Sequence, residues 1–113
     1  GWHPWFRTPD RIDFWPAQVY PRDADGIATL PMSAPPPPPW DDCFTGADGA
    51  VLHRGAQRVT LTSDCDHWVV FDEQAHATCV EPQAGPPDAF NLAPRILHPG
   101  EGINRWFEML WSG

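Results

Sequence analysis

At 113 residues the chain is long enough for one domain and too short for two. Its 15 Asp and Glu against 7 Lys and Arg leave a net charge of -8, which excludes nucleic acid and an anionic membrane surface as partners, because both demand a basic patch. No apolar run approaches the roughly 18 residues of a membrane helix, and no basic region leads into an apolar signal segment.

Three cysteines, Cys43, Cys65 and Cys79, are too few and too oddly numbered for a disulfide framework, so the chain reads as a soluble protein of the reducing cytoplasm. It opens on Gly1 rather than Met, and a truncated start is the expectation that follows. Leu, Ile, Val and Phe together number only 22, a proportion that edges toward disorder. Seven tryptophans pull the other way, since each can bury a large area. The balance predicts a folded β protein punctuated by its 15 prolines.

Residues 1–39 hold ten of those prolines, which interrupt any helix before three turns are complete. Arg11–Trp15 and Gln18–Tyr20 remain long enough for short strands. The run Pro35–Pro39 predicts a polyproline II segment, read as a stiff loop rather than as a ligand for an adaptor domain. Between Pro39 and Pro82 no proline occurs, and four strands are expected there: Ala50–Arg54, Arg58–Ser63, His67–Phe71 and Thr78–Glu81. Val59 and Leu61 alternate with Arg58, Thr60 and Thr62, as in a half-buried strand, whereas His67–Phe71 is apolar on both faces. Gly46–Gly49 and Ser63–Asp66 read as turns. Ile103–Trp111 is ambiguous, with Ile103, Trp106, Phe107 and Leu110 at helical spacing but an aromatic content that favours a strand.

Three patches set an ionisable side chain among aromatic or proline residues, which can hold it still and shift its titration. They are Gly1-Trp2-His3-Pro4-Trp5-Phe6, Trp40-Asp41-Asp42-Cys43-Phe44 and the run from Cys79 through Glu81-Pro82-Gln83-Ala84-Gly85-Pro86-Pro87-Asp88-Ala89-Phe90-Asn91. Read without further context, Glu81 is a carboxylate at a strand end, His3 a terminal residue and Asp41 a turn or cap residue after the proline run. Aromatic faces also suit sugars, whose C–H faces are apolar.

In the same order, these motifs resemble the C-terminal part of the aldose 1-epimerase (galactose mutarotase) family. The most specific stretch is Glu-Pro-x-x-Gly-Pro-Pro-Asp-Ala-Phe-Asn, and Pro99-Gly100-Glu101 before the aromatic Arg105–Trp111 is similar to the family's ending. The likeness covers nearly the whole chain and is weakest over residues 7–39. It implies an all-β fold, part of a galactose-mutarotase-like β-supersandwich of antiparallel strands. It implies that residues 1–113 are the C-terminal portion of one such domain, with an N-terminal part that supplies an arginine, another histidine and many of the strands.

By the same resemblance Glu81 matches the catalytic base, His3 the catalytic acid and Asp41 the aspartate that binds sugar hydroxyls. The implied reaction interconverts the α and β anomers of an aldohexose. A base removes the anomeric hydroxyl proton, an acid protonates the ring oxygen, and the opened aldehyde rotates and recloses on its other face. No cofactor and no metal is needed. Histidine suits the acid because it titrates near neutrality, and Pro82 biases Glu81 toward an extended backbone. Base and acid tips are expected roughly 5–8 Å apart on a shared concave surface. The short chain alone is expected to show little or no activity.

Two other readings stay open. One is a non-catalytic carbohydrate-binding β-sandwich module; the other is a relative acting on a hexose 6-phosphate, which the acidic balance and dispersed arginines disfavour. The remaining histidines and cysteines show no zinc spacing beyond Cys65-x-His67. Asp64–Asp66 lacks the glycine and final glutamate of a calcium loop. Cys79 reads as a buried structural thiol rather than a nucleophile.

Overall fold

The computed structural model describes residues 1–113. Nine strands follow in chain order: β1 (Trp5–Arg7), β2 (Arg11–Asp13), β3 (Gln18–Val19), β4 (Asp41–Thr45), β5 (Ala50–Arg54), β6 (Gln57–Ser63), β7 (His67–Phe71), β8 (Ala77–Gln83) and β9 (Phe107–Ser112). A single helical turn, α1 (Ala89–Leu92), lies between β8 and β9. The strands form two antiparallel sheets, one ordered β1-β8-β7-β4-β3 and the other β2-β5-β6-β9. The fold is an all-β sandwich. No helix is long and apolar enough to cross a membrane.

The core forms where the two sheets face one another, and strand periodicity decides who enters it. Side chains two apart share a face. Phe44, Trp68, Val70 and Val80 therefore point inward from the five-stranded sheet, and Ala50, Leu52 and Leu61 meet them from the four-stranded one. Five of these seven, Phe44, Leu61, Trp68, Val70 and Val80, are fully buried. Phe14, which follows β2, closes the core edge-on against both Phe44 and Trp40. Opposite the core, the four-stranded sheet presents polar groups, with Arg11, Asp13 and His53 bonded to one another. That alternation, apolar in and polar out, is the usual pattern of an antiparallel sheet with one wet face.

Several sequence expectations gain or lose residues here. Arg58–Ser63 and Ala50–Arg54 form a hairpin in which Ala50 faces Leu61 and Arg54 faces Gln57. The strand expected over Thr78–Glu81 runs on to Gln83, through Pro82. Proline has no N–H to give the ladder, yet its carbonyl still accepts a bond from Trp2 N. Glu81 is thus inside a strand, not at its end. Asp41 begins β4 rather than capping a turn. Ile103–Trp111 resolves toward the strand, but only from Phe107 onward. Ahead of it, Trp106 N donates to Asp64 Oδ1 and the Ser63 hydroxyl donates to Trp106 O, which pins residue 106 to the turn after β6.

Candidate functional site

The face of the five-stranded sheet that turns away from the core carries a second alternation. Directly opposed residues project to the same side, and register places them in rows. Asp41 faces Phe71, Phe71 faces Cys79 and Cys79 faces Trp5. In the next row Cys43 faces Val69, and Val69 faces Glu81. Each of these residues is one step out of phase with the core set of Phe44, Trp68, Val70 and Val80. The two populations come from the same strands.

On this face lies a cleft of about 510 Å³, within the usual range for small-molecule sites. His3, Asp41 and Glu81 all line it. Trp5 and Phe71 supply the aromatic wall, and Gln83 with the Gly85-Pro86-Pro87 loop forms the remaining side. His3 arrives from the segment ahead of β1, Asp41 from β4 and Glu81 from β8. The prolines of the loop have few backbone states to lose, which suits a rim that must keep its shape.

His3 Nδ1 lies 2.9 Å from Glu81 Oε1. That is closer than the roughly 5–8 Å expected for groups that grip a pyranose from either end; imidazole nitrogen and carboxylate oxygen stand at ion-pair distance from each other. The other carboxylate oxygen, Oε2, accepts a 3.0 Å bond from the Gln83 amide, which also donates to Trp2 O. Glu81 is only 6 % exposed, so its carboxylate needs polar partners of this kind. The His3 side chain is 63 % exposed and stacks on Trp5, with ring centroids 5.7 Å apart. Trp5 meets Phe71 edge-on at 6.0 Å.

Asp41 is held from its far side. Arg22 Nη1 donates to Asp41 Oδ2 and Arg22 Nε donates to Asp42 Oδ1, each at 3.2 Å. Nothing in the sequence linked Arg22 to these aspartates across the polyproline segment. Gln83 carries no signal in the sequence beyond its position two residues past Glu81, which on an extended chain places both on one face.

Cys79 lies behind the pair, with Sγ 3.6 Å from His3 Nδ1. Burial, then the neighbouring Glu81 charge and its hydrogen bond, push this thiol up to about 12, so it is protonated at neutral pH. His3 also offers one and the same nitrogen to Cys79 and to Glu81. A nucleophile–base–orienter relay uses the two ring nitrogens separately, so the trio is not built to activate a cysteine nucleophile. Ligand atoms of His3, Cys79 and Glu81 do lie within 4.8 Å of one another, close enough to share an ion.

No protein-family model, curated protein or solved structure matches this chain. What the cleft can do follows from its own chemistry and from the motifs that line it. That chemistry is a buried carboxylate in contact with an accessible imidazole, a second carboxylate held by an arginine, and an aromatic wall. It can move protons and can hold a neutral, hydroxyl-rich ligand.

Proposed function

We propose that this chain carries the acid–base site of an aldose 1-epimerase acting on an aldohexose. The observation that supports this reading is that three residues from distant parts of the sequence, His3, Asp41 and Glu81, line one aromatic-walled cleft. Glu81 takes the anomeric hydroxyl proton and His3 protonates the ring oxygen. Both oxygens are bonded to C1, so base and acid have to be close neighbours. A sugar needs to part the His3–Glu81 contact only far enough to insert these two oxygens. Asp41 holds ring hydroxyls, and Trp5 takes the apolar face of the sugar. After rotation about C1–C2 the protons return and the ring closes to the other anomer.

The motif resemblance is to the C-terminal part of such a domain, and the activity is proposed for the chain joined to an N-terminal part. Polarimetry of freshly dissolved α-galactose or α-glucose tests it. The completed protein should accelerate mutarotation, and Glu81→Gln should lower the rate on the order of 10²-fold while sugar affinity persists. The 113-residue chain alone should show little or none. Unchanged rates in Glu81→Gln would remove Glu81 as the base.

A second reading, a non-catalytic carbohydrate-binding module, is favoured by the closed His3–Glu81 contact at 2.9 Å. It predicts sugar affinity that depends on Trp5 and Asp41 with no change in mutarotation rate.

A further inference from the structure

Sequence spacing gave no hint of a metal site at His3, because 76 residues separate it from Cys79. Folding brings imidazole, thiol and carboxylate together, with their ligand atoms all within 4.8 Å of one another. Tetrahedral zinc holds sulfur at about 2.3 Å and nitrogen at about 2.0–2.1 Å, which sets the two roughly 3.5 Å apart. Cys79 Sγ and His3 Nδ1 are 3.6 Å apart. Nitrogen and oxygen ligands of one tetrahedral zinc stand roughly 3.4 Å apart; His3 Nδ1 and Glu81 Oε1, at 2.9 Å, need to separate only slightly.

We propose that His3, Cys79 and Glu81 form a binding site for zinc at the floor of the cleft. One sulfur, one nitrogen and one oxygen ligand fill three positions, and the fourth faces the cleft for water. A thiolate with an imidazole selects zinc over magnesium and calcium, which prefer all-oxygen shells. The Gln83 amide, bonded to Glu81 Oε2, leaves Oε1 aimed at the site and acts as the positioning residue behind it. His3 is the exposed member through which the ion enters. On coordination the S–H bond breaks, its proton passes to water, and the sulfur pair is donated to the metal. No electron is transferred.

Zinc seated here occupies both groups of the acid–base pair. Its consequence for catalysis, inhibition of mutarotation, rests on the proposed function; the binding itself does not.

The test is a titration of the reduced, metal-free 113-residue chain with zinc in competition with a chromophoric chelator. One ion per chain is expected, with micromolar affinity or tighter. Cys79→Ser and His3→Ala should each weaken binding at least about tenfold, whereas Cys65→Ser, which removes a buried thiol elsewhere, should leave it unchanged. Cobalt in place of zinc should show a thiolate charge-transfer band that Cys79→Ser abolishes. Absence of binding, or binding indifferent to both Cys79→Ser and His3→Ala, overturns the site. Zinc bound through these residues, together with no mutarotation by the completed protein when freed of metal, supports the metal site and sinks the epimerase reading.

Discussion

Gln83 and Glu81 stand two residues apart on β8, and the amide of one donates a 3.0 Å hydrogen bond to the carboxylate of the other. The same amide reaches Trp2 O, so one side chain ties the buried carboxylate to the segment that carries His3. Removing it leaves a buried charge short of a donor. Gln83→Ala should cost about 1.5–3 kcal/mol, the usual worth of a hydrogen bond to a charged group. Urea denaturation would measure this, and hydrogen exchange at the Trp2 amide should speed up. A variant as stable as the parent, with Trp2 still protected, would show the amide to be incidental.

Trp5 tests the aromatic wall. It is half exposed, lies over His3 and abuts Phe71. If it takes the apolar face of a sugar, Trp5→Ala should raise KM or Kd by about tenfold, the effect of losing roughly 1.4 kcal/mol of stacking and contact. Trp5→Phe should recover part of the loss. Isothermal titration with galactose reads the affinity directly, and equal affinity in all three proteins would place the sugar elsewhere.

Phe44 tests the core. It is fully buried and makes edge-on contacts with Phe14 and Trp40 that join the two sheets at one end. Phe44→Ala should lower stability by about 3–5 kcal/mol through lost transfer energy and the cavity left behind. A denaturant midpoint shifted by much less would mean that the sheets close over the gap.

Alkaline pH offers a test through Cys43. Burial, assisted by the charges of Asp66, Asp42 and Glu81, pushes this thiol from 9.0 up to about 12. Between those values the folded chain keeps a proton that the unfolded chain has lost. The stabilisation is therefore complete below about pH 9 and is lost as pH climbs toward about 12. Urea midpoints should fall across that window, and the fall should be shallower in Cys43→Ala. An equal fall in both proteins would assign the alkaline sensitivity to other groups.

The strands most legible in the sequence are those whose alternation survives in burial. Val59 and Leu61 against their polar neighbours marked β6, and the unbroken apolar run His67–Phe71 marked β7, although only its Trp68 and Val70 are buried while His67, Val69 and Phe71 on the other face are half-buried. β4 was hidden because Asp41 and Asp42 open it, and adjacent carboxylates read as loop. Their charge is met by Arg22, a partner supplied only by the fold. Pro82 misled in the other direction, suggesting an end to β8 where the strand continues.

At the site, motif likeness pointed to Glu81, His3 and Asp41, but the Cys79–His3 contact was invisible, since no periodicity links residues 76 positions apart. The helical spacing over Ile103–Trp111 was an accident of composition. Pairing with β6, from Ser63 against Phe107 to Arg58 against Ser112, decided the strand.

The interleaving along β8 has a consequence for how such a protein can vary. Thr78, Val80 and Pro82 belong to the interior, and Cys79, Glu81 and Gln83 to the opposite face. Substitutions can address one set and leave the other in place. Insertion or deletion of a single residue between Ala77 and Gln83 would exchange them, sending a carboxylate and an amide into the hydrophobic layer and valine into the cleft. Length within this strand is therefore under far tighter constraint than identity, and stability and chemistry would be lost together in one step.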